Sequence, residues 1–250
     1  MSVRGLSLAS GGRALIHHVS FDLFPKEVLA FVGREGGGKS MLLRSLARME
    51  QLGRSPVRSG QILFQDQDLL NPKTDLPPLR RHLALVAQET NPFPLSIWDN
   101  IAYGIKLNRL AKTKGLMADL IEASLRRAQL WDVVKDQLHT TMGTDLNGAQ
   151  RRQLCIARAL ALDPKLMLID RPTSAGDRMS FALTLDLVTE LRKSMAIVLV
   201  AQSLETAAHM ADRVAFFNKG RIVELDTAEM IFTNARDPET RAFLEQSTDM

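Results

Sequence analysis

Gly33-Arg34-Glu35-Gly36-Gly37-Gly38-Lys39-Ser40 is the stretch on which the reading of this chain turns. It fits the pattern G-x-x-x-x-G-K-[ST], and the residues on both sides give that pattern its required context. Ahead of it, Val28-Leu29-Ala30-Phe31-Val32 is short, apolar and rich in β-formers, which predicts a buried strand. Behind it, Met41-Leu42-Leu43-Arg44-Ser45-Leu46-Ala47 carries apolar residues at helical spacing. Strand, glycine-rich turn and helix make an anion cradle, because the turn's backbone N–H groups and the positive helix end surround phosphates. Lys39 then reaches the β- and γ-phosphates of a nucleoside triphosphate, and Ser40 offers a hydroxyl to Mg²⁺. Glu35 places a carboxylate in this anion-binding loop, tolerable where it points outward or pairs with Arg34.

A second stretch pulls the other way. Leu166-Met167-Leu168-Ile169-Asp170 has the form of a strand that ends in a magnesium-coordinating carboxylate, yet it runs straight into Arg171. A nucleotide hydrolase is expected to keep a base at that point. The chain reads as built to bind a nucleoside triphosphate, with its chemistry open.

Composition narrows the class. A chain of 250 residues holds one large α/β domain with a sizeable core, and 45% apolar with 24% charged residues is ordinary for a globular protein. The single Cys155 excludes an internal disulfide. No signal pattern precedes Val3-Arg4-Gly5, so the expectation is a cytoplasmic chain. Apolar stretches such as Met195-Ala196-Ile197-Val198-Leu199-Val200-Ala201 are too short to span a bilayer, so membrane association has to come through a partner. The net charge of +4 is spread out, and the pairs Arg80-Arg81, Arg126-Arg127 and Arg151-Arg152 lie in amphipathic stretches with little aromatic interleaving. They read as solvated helix faces, and no nucleic-acid partner is expected.

Strands and helices alternate along the chain. Val19–Leu23 and Gln61–Phe64 read as early β structure, and Asn71 to Pro78 reads as a loop because of Pro72, Pro77 and Pro78. Leu83–Ala87 predicts a strand that ends at Gln88. From Pro92 to about Leu162 the pattern is helical, clearest at Asp119–Leu130 and Gln150–Ala161. Strands return at Leu166–Ile169 and Ile197–Val200, followed by a hairpin-like run from Val214 to Leu225 around Asn218-Lys219-Gly220. The last of these turns lacks the aspartate of a guanine-reading N-K-x-D, since Arg221 follows, so GTPase activity is not expected. The simplest architecture is a parallel-sheet core interrupted by a helical insertion.

With these residues in view, the chain resembles the nucleotide-binding subunits of ABC transporters over nearly its whole length, from about Val3 to about Phe232. The phosphate loop carries the resemblance, together with Gln88, the segment Leu146-Asn147-Gly148-Ala149-Gln150 before a helix, Asp170, Ser174-Ala175-Gly176-Asp177, and Gln202. Asn91 to Gly104 and Gln153 to Leu160 look like the phosphate-importer branch. The resemblance implies an α/β P-loop ABC-type nucleotide-binding domain, with a mostly parallel core sheet, early antiparallel β structure and an inserted helical subdomain. It implies one domain over 1–250, with a core at 1–88 and 163–232, a helical subdomain at about 89–162 and a C-terminal tail at 233–250. ATP and Mg²⁺ are the implied cofactors. Gly33 to Met41 and Gln88 are the implied nucleotide contacts, and Ser40, Gln88 and Asp170 the implied metal ligands. Asn147, Gly148, Ala149, Gln150 and Asp177 are implied to face a second ATP-binding subunit across a dimer. Two such subunits closing head to tail around ATP would push on membrane permease subunits, placing the chain on the inner face of the membrane.

The departures from that family are concentrated at the same site. Where the family keeps a glutamate that polarises the attacking water, this chain has Arg171, which accepts no proton at any working pH and is expected instead to hold the γ-phosphate when a nucleotide is bound and to pair with Asp170 when none is. General-base action is worth roughly 10²–10⁴ in rate. Gln202 stands where the family has a histidine on the γ-phosphate; it can hydrogen-bond but carries no charge. Leu146-Asn147-Gly148-Ala149 replaces Leu-Ser-Gly-Gly: Asn caps a helix nearly as well as Ser. Ala149 costs energy if the turn needs positive φ or a close phosphate approach. No aromatic lies near Ala9-Ser10 to stack on adenine, a loss of about 0.5–1.5 kcal/mol or up to about tenfold in affinity. Met41 stands in place of a threonine hydroxyl.

Three functions follow from this pattern. One is an ABC subunit that binds ATP and hydrolyses it poorly or not at all, paired with itself or with an intact homologue whose residues serve one competent site. The others are a fully active transport ATPase, and a soluble ABC-type ATPase acting on nucleic acid or ribosomes.

Overall fold

Every residue of Val28–Val32 is buried, and its side chains alternate between two cores: Leu29 and Phe31 enter one, Val28, Ala30 and Val32 the other. A strand covered on both faces has no polar side, which is why the sequence shows an unbroken apolar run there. The same division holds for Leu166 and Leu168 against Met167 and Ile169, and for Ala215 and Phe217 against Val214 and Phe216.

The computed structural model describes residues 1–49, 57–172 and 178–248. In chain order the elements are β1 (Ser2–Ser10), β2 (Arg13–Asp22), β3 (Val28–Val32), α1 (Lys39–Leu46), β4 (Val57–Phe64), β5 (Gln67–Asp68), α2 (Leu76–Arg81) and β6 (Leu83–Val86). Then come α3 (Ile97–Leu107), α4 (Lys114–Arg127), α5 (Trp131–Val134), α6 (Gly148–Leu160), β7 (Leu166–Asp170), α7 (Arg178–Leu191) and β8 (Ala196–Val200). The chain closes with α8 (Leu204–Met210), β9 (Arg213–Asn218), β10 (Arg221–Thr227), α9 (Ala228–Asn234) and α10 (Pro238–Thr248).

Two sheets result. An antiparallel sheet has the order β2-β1-β4-β5, and a second has the order β10-β9-β3-β8-β7-β6. In the second, β9, β3, β8, β7 and β6 run parallel and β10 alone pairs antiparallel, at the edge. One core lies between the two sheets and takes in Leu42, Leu43 and Leu46 of α1; the other joins the second sheet to α3, α4, α6, α7 and α8. This is the α/β arrangement expected from the sequence, with early antiparallel strands and helices inserted between β6 and β7.

Details differ from the sequence reading for identifiable reasons. β1 escapes a period-two search because its buried residues Val3, Leu6 and Leu8 are spaced by three and then two, and register shifts flank Gly5 at φ +56°. A bulge of this kind resets which face a side chain takes. Pro77 and Pro78, read as loop, lie in the first turn of α2, where a missing N–H costs nothing. α4 begins at Lys114, earlier than read, because the Thr113 side chain accepts from Leu116 N–H and caps it. Residues 238–248 form α10, whose Phe243 stacks on Phe216 with ring centroids 4.8 Å apart.

Candidate functional site

The four strands β3, β8, β7 and β6 are neighbours in that order, so the segments leaving their carboxyl ends emerge side by side. They are the loop beginning at Gly33, then Ala201-Gln202, then Arg171, then Gln88. Parallel α/β sheets bind ligands at such strand ends.

The loop itself tolerates only glycine at its entry. Gly33 has φ +139°, and a Cβ there would lie 2.0 Å from the carbonyl oxygen of Phe217. Gly38 takes φ +102° as the residue before α1 and gives that helix no side-chain cap, so its N-terminus is left for a ligand. The β9–β10 turn braces the loop from behind: Gly220 N–H donates to Gly37 O at 2.9 Å. On the outer side, Arg34 Nη2 donates to Gln246 Oε1 of α10 at 2.5 Å. Lys39 folds along the loop, its Nζ donating to Gly33 O at 2.6 Å and Arg34 O at 2.7 Å. Burial, aided by the nearby charge of Arg171, lowers its pKa to about 8 against the opposing pull of Glu35 and Asp170. Met41 turns into the core side of α1, partly buried among apolar residues.

Asp170 is completely buried at the end of β7. Its Oδ1 accepts from Ser40 Oγ at 2.8 Å, and its Oδ2 lies 3.4 Å from Arg44 Nη2. A hydroxyl and one carboxylate brought together beside a phosphate loop are hard oxygen donors of the sort Mg²⁺ takes in combination with nucleotide phosphates and water. Among the described residues no group of three or more His, Cys, Asp or Glu side chains is placed to hold a metal ion.

Arg171 adopts the left-handed conformation at φ +53°. Its N–H donates to Val200 O and its carbonyl accepts from Arg152 Nη1, each at 3.1 Å. Arg152 Nη2 also donates to Gln88 O at 3.1 Å, so one guanidinium ties together the chain segments beyond β6 and β7. The sequence suggested that Arg171 pairs with its neighbour Asp170 when no nucleotide is present, and that Glu35 pairs with Arg34 or points outward. Neither pairing occurs, and Glu35 takes the outward placement, 84% accessible. Asp170 already holds Ser40 and Arg44, Arg34 is engaged with Gln246, and Arg171 Nη2 reaches Glu35 Oε1 at 3.0 Å.

Gln202 is exposed just beyond β8, beside Gly33 and Phe243. Gln88 is exposed as well. Asn147 caps α6 through a reciprocal box: its side chain accepts from Gln150 N–H at 2.9 Å, and the Gln150 side chain accepts from Asn147 N–H at 3.2 Å. Ala149 lies in the first turn of α6 and is absent from the residues with positive φ, so the strain that an alanine would suffer in a left-handed turn does not arise. Asp177, with Ser174, Ala175 and Gly176, lies outside the described residues. No motif or spacing marks Arg44, Arg152 or the α10 contacts as parts of this site.

A profile of the ABC transporter family matches residues 16–174, from β2 through the loop, Asp170 and Arg171. The chain belongs to the ABC transporter family. It carries the ATP-binding domain of that family, and solved ABC structures share its fold. CbiO1 from Clostridium perfringens, part of the ABC transporter complex cbiONQ, superposes with a TM-score of 0.79 at 20% identity, over 93% of this chain and 90% of that one. The ATP-binding cassette MJ0796, dimeric and bound to ADP and Pi in a post-hydrolysis state, gives a TM-score of 0.76 at 21% identity over 91% and 98%. A bacterial Atm1-family ABC exporter with ATP bound gives 0.77 at 24% identity, over 96% of this chain and 41% of the exporter.

Proposed function

We propose that this chain is the ATP-binding subunit of an ABC transporter, phosphate-importer-like, that binds Mg-ATP at a dimer interface to drive or gate a permease while hydrolysing it weakly or not at all. The observation that carries this reading is Arg171. In-line attack of water on the γ-phosphorus requires a group that orients the water and takes up its proton. The residue leaving β7 after Asp170 is instead a guanidinium turned toward the phosphate loop.

The loop and α1 hold the phosphates through backbone N–H groups, and Lys39 leaves the carbonyls of Gly33 and Arg34 to meet the β- and γ-phosphates. Ser40, Asp170 and Gln88 would hold Mg²⁺, which would neutralise phosphate charge. Arg171 donates to the γ-phosphate where a base would stand, which strengthens binding without advancing the reaction, since guanidinium only donates. Gln202 adds a neutral hydrogen bond. ATP then acts as a closing ligand that persists.

A second ATP-binding subunit, identical or an intact homologue, receives Asn147–Gln150 and Asp177 across the interface. Partners in the membrane are supported by the exposed apolar side chains of Met49, Phe93 and Tyr103 along the groove between β6 and α3. Among the described residues no helix is long and apolar enough to cross a membrane, so attachment at the inner face goes through permease subunits. Resemblance at 91–104 and 153–160 supports the phosphate-importer branch. The test is steady-state phosphate release with Lys39→Ala as the blank: release at the blank's level is expected, and turnover of order 1 s⁻¹ or more restores a working ATPase.

A further inference from the structure

Glu35 and Arg171 come from segments that leave different strands, and each is unusual where it stands: an acid on an anion-binding loop, and a base-less cation beside Asp170. Their pairing at 3.0 Å links the two oddities. Arg171 is held by its backbone on both sides and its side chain is three-quarters buried. Glu35 stands at the exposed crest of the loop, 84% accessible. The carboxylate next door, Asp170, is occupied by Ser40 and Arg44. Lys39, Arg44 and Arg171 thus crowd one site with Asp170 and Glu35 as the facing acids.

We propose that Glu35 is a tethered counter-ion for Arg171: it holds the guanidinium over the mouth of the phosphate loop in the empty site and yields it to the γ-phosphate of a triphosphate. The pair thereby sets how strongly the site prefers a triphosphate to a diphosphate. This rests on the reading that the chain binds ATP. A pair with one partner in water is weak and exchanges readily. A γ-phosphate competes with Glu35 for the same guanidinium and is also repelled by the carboxylate it displaces. A diphosphate, lacking that group, leaves the pair in place. Glu35 therefore acts as a threshold on ATP binding that ADP does not meet.

Calorimetric titration of Mg-ATP and Mg-ADP into the full chain and its E35Q, R171Q and E35Q/R171Q variants tests this. E35Q is expected to tighten ATP binding about twofold to fivefold and to change ADP binding by less than about 1.5-fold, the range of an exposed ion pair. In the R171Q background the E35Q gain shrinks by at least about half, because only direct repulsion remains. Added salt diminishes the gain in the wild-type background. An E35Q effect equal for ATP and ADP, or equal in both backgrounds, overturns the counter-ion role while leaving ATP binding intact. Absence of ATP binding in all four proteins overturns the ATP-binding reading itself, and the counter-ion with it.

Discussion

Lys39 makes nucleotide binding measurable as a proton balance. Its pKa falls from 10.5 to about 8, chiefly by burial and secondly by the charge of Arg171. A phosphate laid against the ammonium favours the charged form and raises that pKa again. Binding must therefore draw a proton onto Lys39 between about pH 8 and the bound value, and none well below pH 8, where the amine is charged in both states. At about pH 8.5 only about a quarter of the free protein carries the charge, so each ATP bound takes up ~0.75 proton. Affinity drops about tenfold from pH 7 to pH 9 for the same reason. Titration calorimetry in two buffers of different ionisation enthalpy reads the uptake directly. Lys39→Arg, charged throughout, abolishes both the uptake and the pH dependence. No uptake at about pH 8.5, or equal uptake in Lys39→Arg, would refute the placement of a depressed Lys39 against the phosphates.

Gly33→Ala forces a Cβ to within 2.0 Å of Phe217 O at φ +139°, and is expected to cost about 3 kcal/mol or more in urea unfolding; a loss under about 1 kcal/mol would contradict the close approach. Arg171→Ala is expected to weaken ATP binding about tenfold or more and to leave ADP binding little changed, as a charge-assisted contact to the γ-phosphate requires; equal losses for both nucleotides rule that contact out. Arg171→Glu alone should restore little hydrolysis, because the new carboxylate faces Glu35 across the loop and Gln202 is unchanged. Arg171→Glu with Gln202→His and Glu35→Gln should restore more in a phosphate-release assay, and full activity from the single substitution would show the other departures to be neutral.

The phosphate loop was legible because one constraint governs it: glycines at backbone positions closed to a Cβ, between an apolar strand and an apolar-faced helix. The strands of the parallel sheet were legible because burial on both faces leaves a continuous apolar run. β1 was not, since the bulge at Gly5 breaks the alternation by which a half-buried strand is recognised. α10 is not legible as a docked helix because its attachments, Phe243 on Phe216, Arg34 to Gln246 and Asn218 to Glu239, join residues far apart in sequence. The capping box at Asn147 and Gln150 is local and only half of it was anticipated, the cap by Asn147. Charge pairing was least legible. Sequence neighbours suggested Asp170 for Arg171 and Arg34 for Glu35, whereas the fold brings the ends of β3 and β7 together and pairs Glu35 with Arg171.

The fate of ATP in a single turnover tests most directly whether this chain binds nucleotide without consuming it. Purified protein in excess over labelled Mg-ATP is quenched at intervals and the nucleotide on it identified. With Arg171 in place of a base, the bound nucleotide is expected to remain ATP for an hour, with no more ADP than in Lys39→Ala. Conversion of the bound ATP to ADP within seconds, at about 1 s⁻¹, would contradict it.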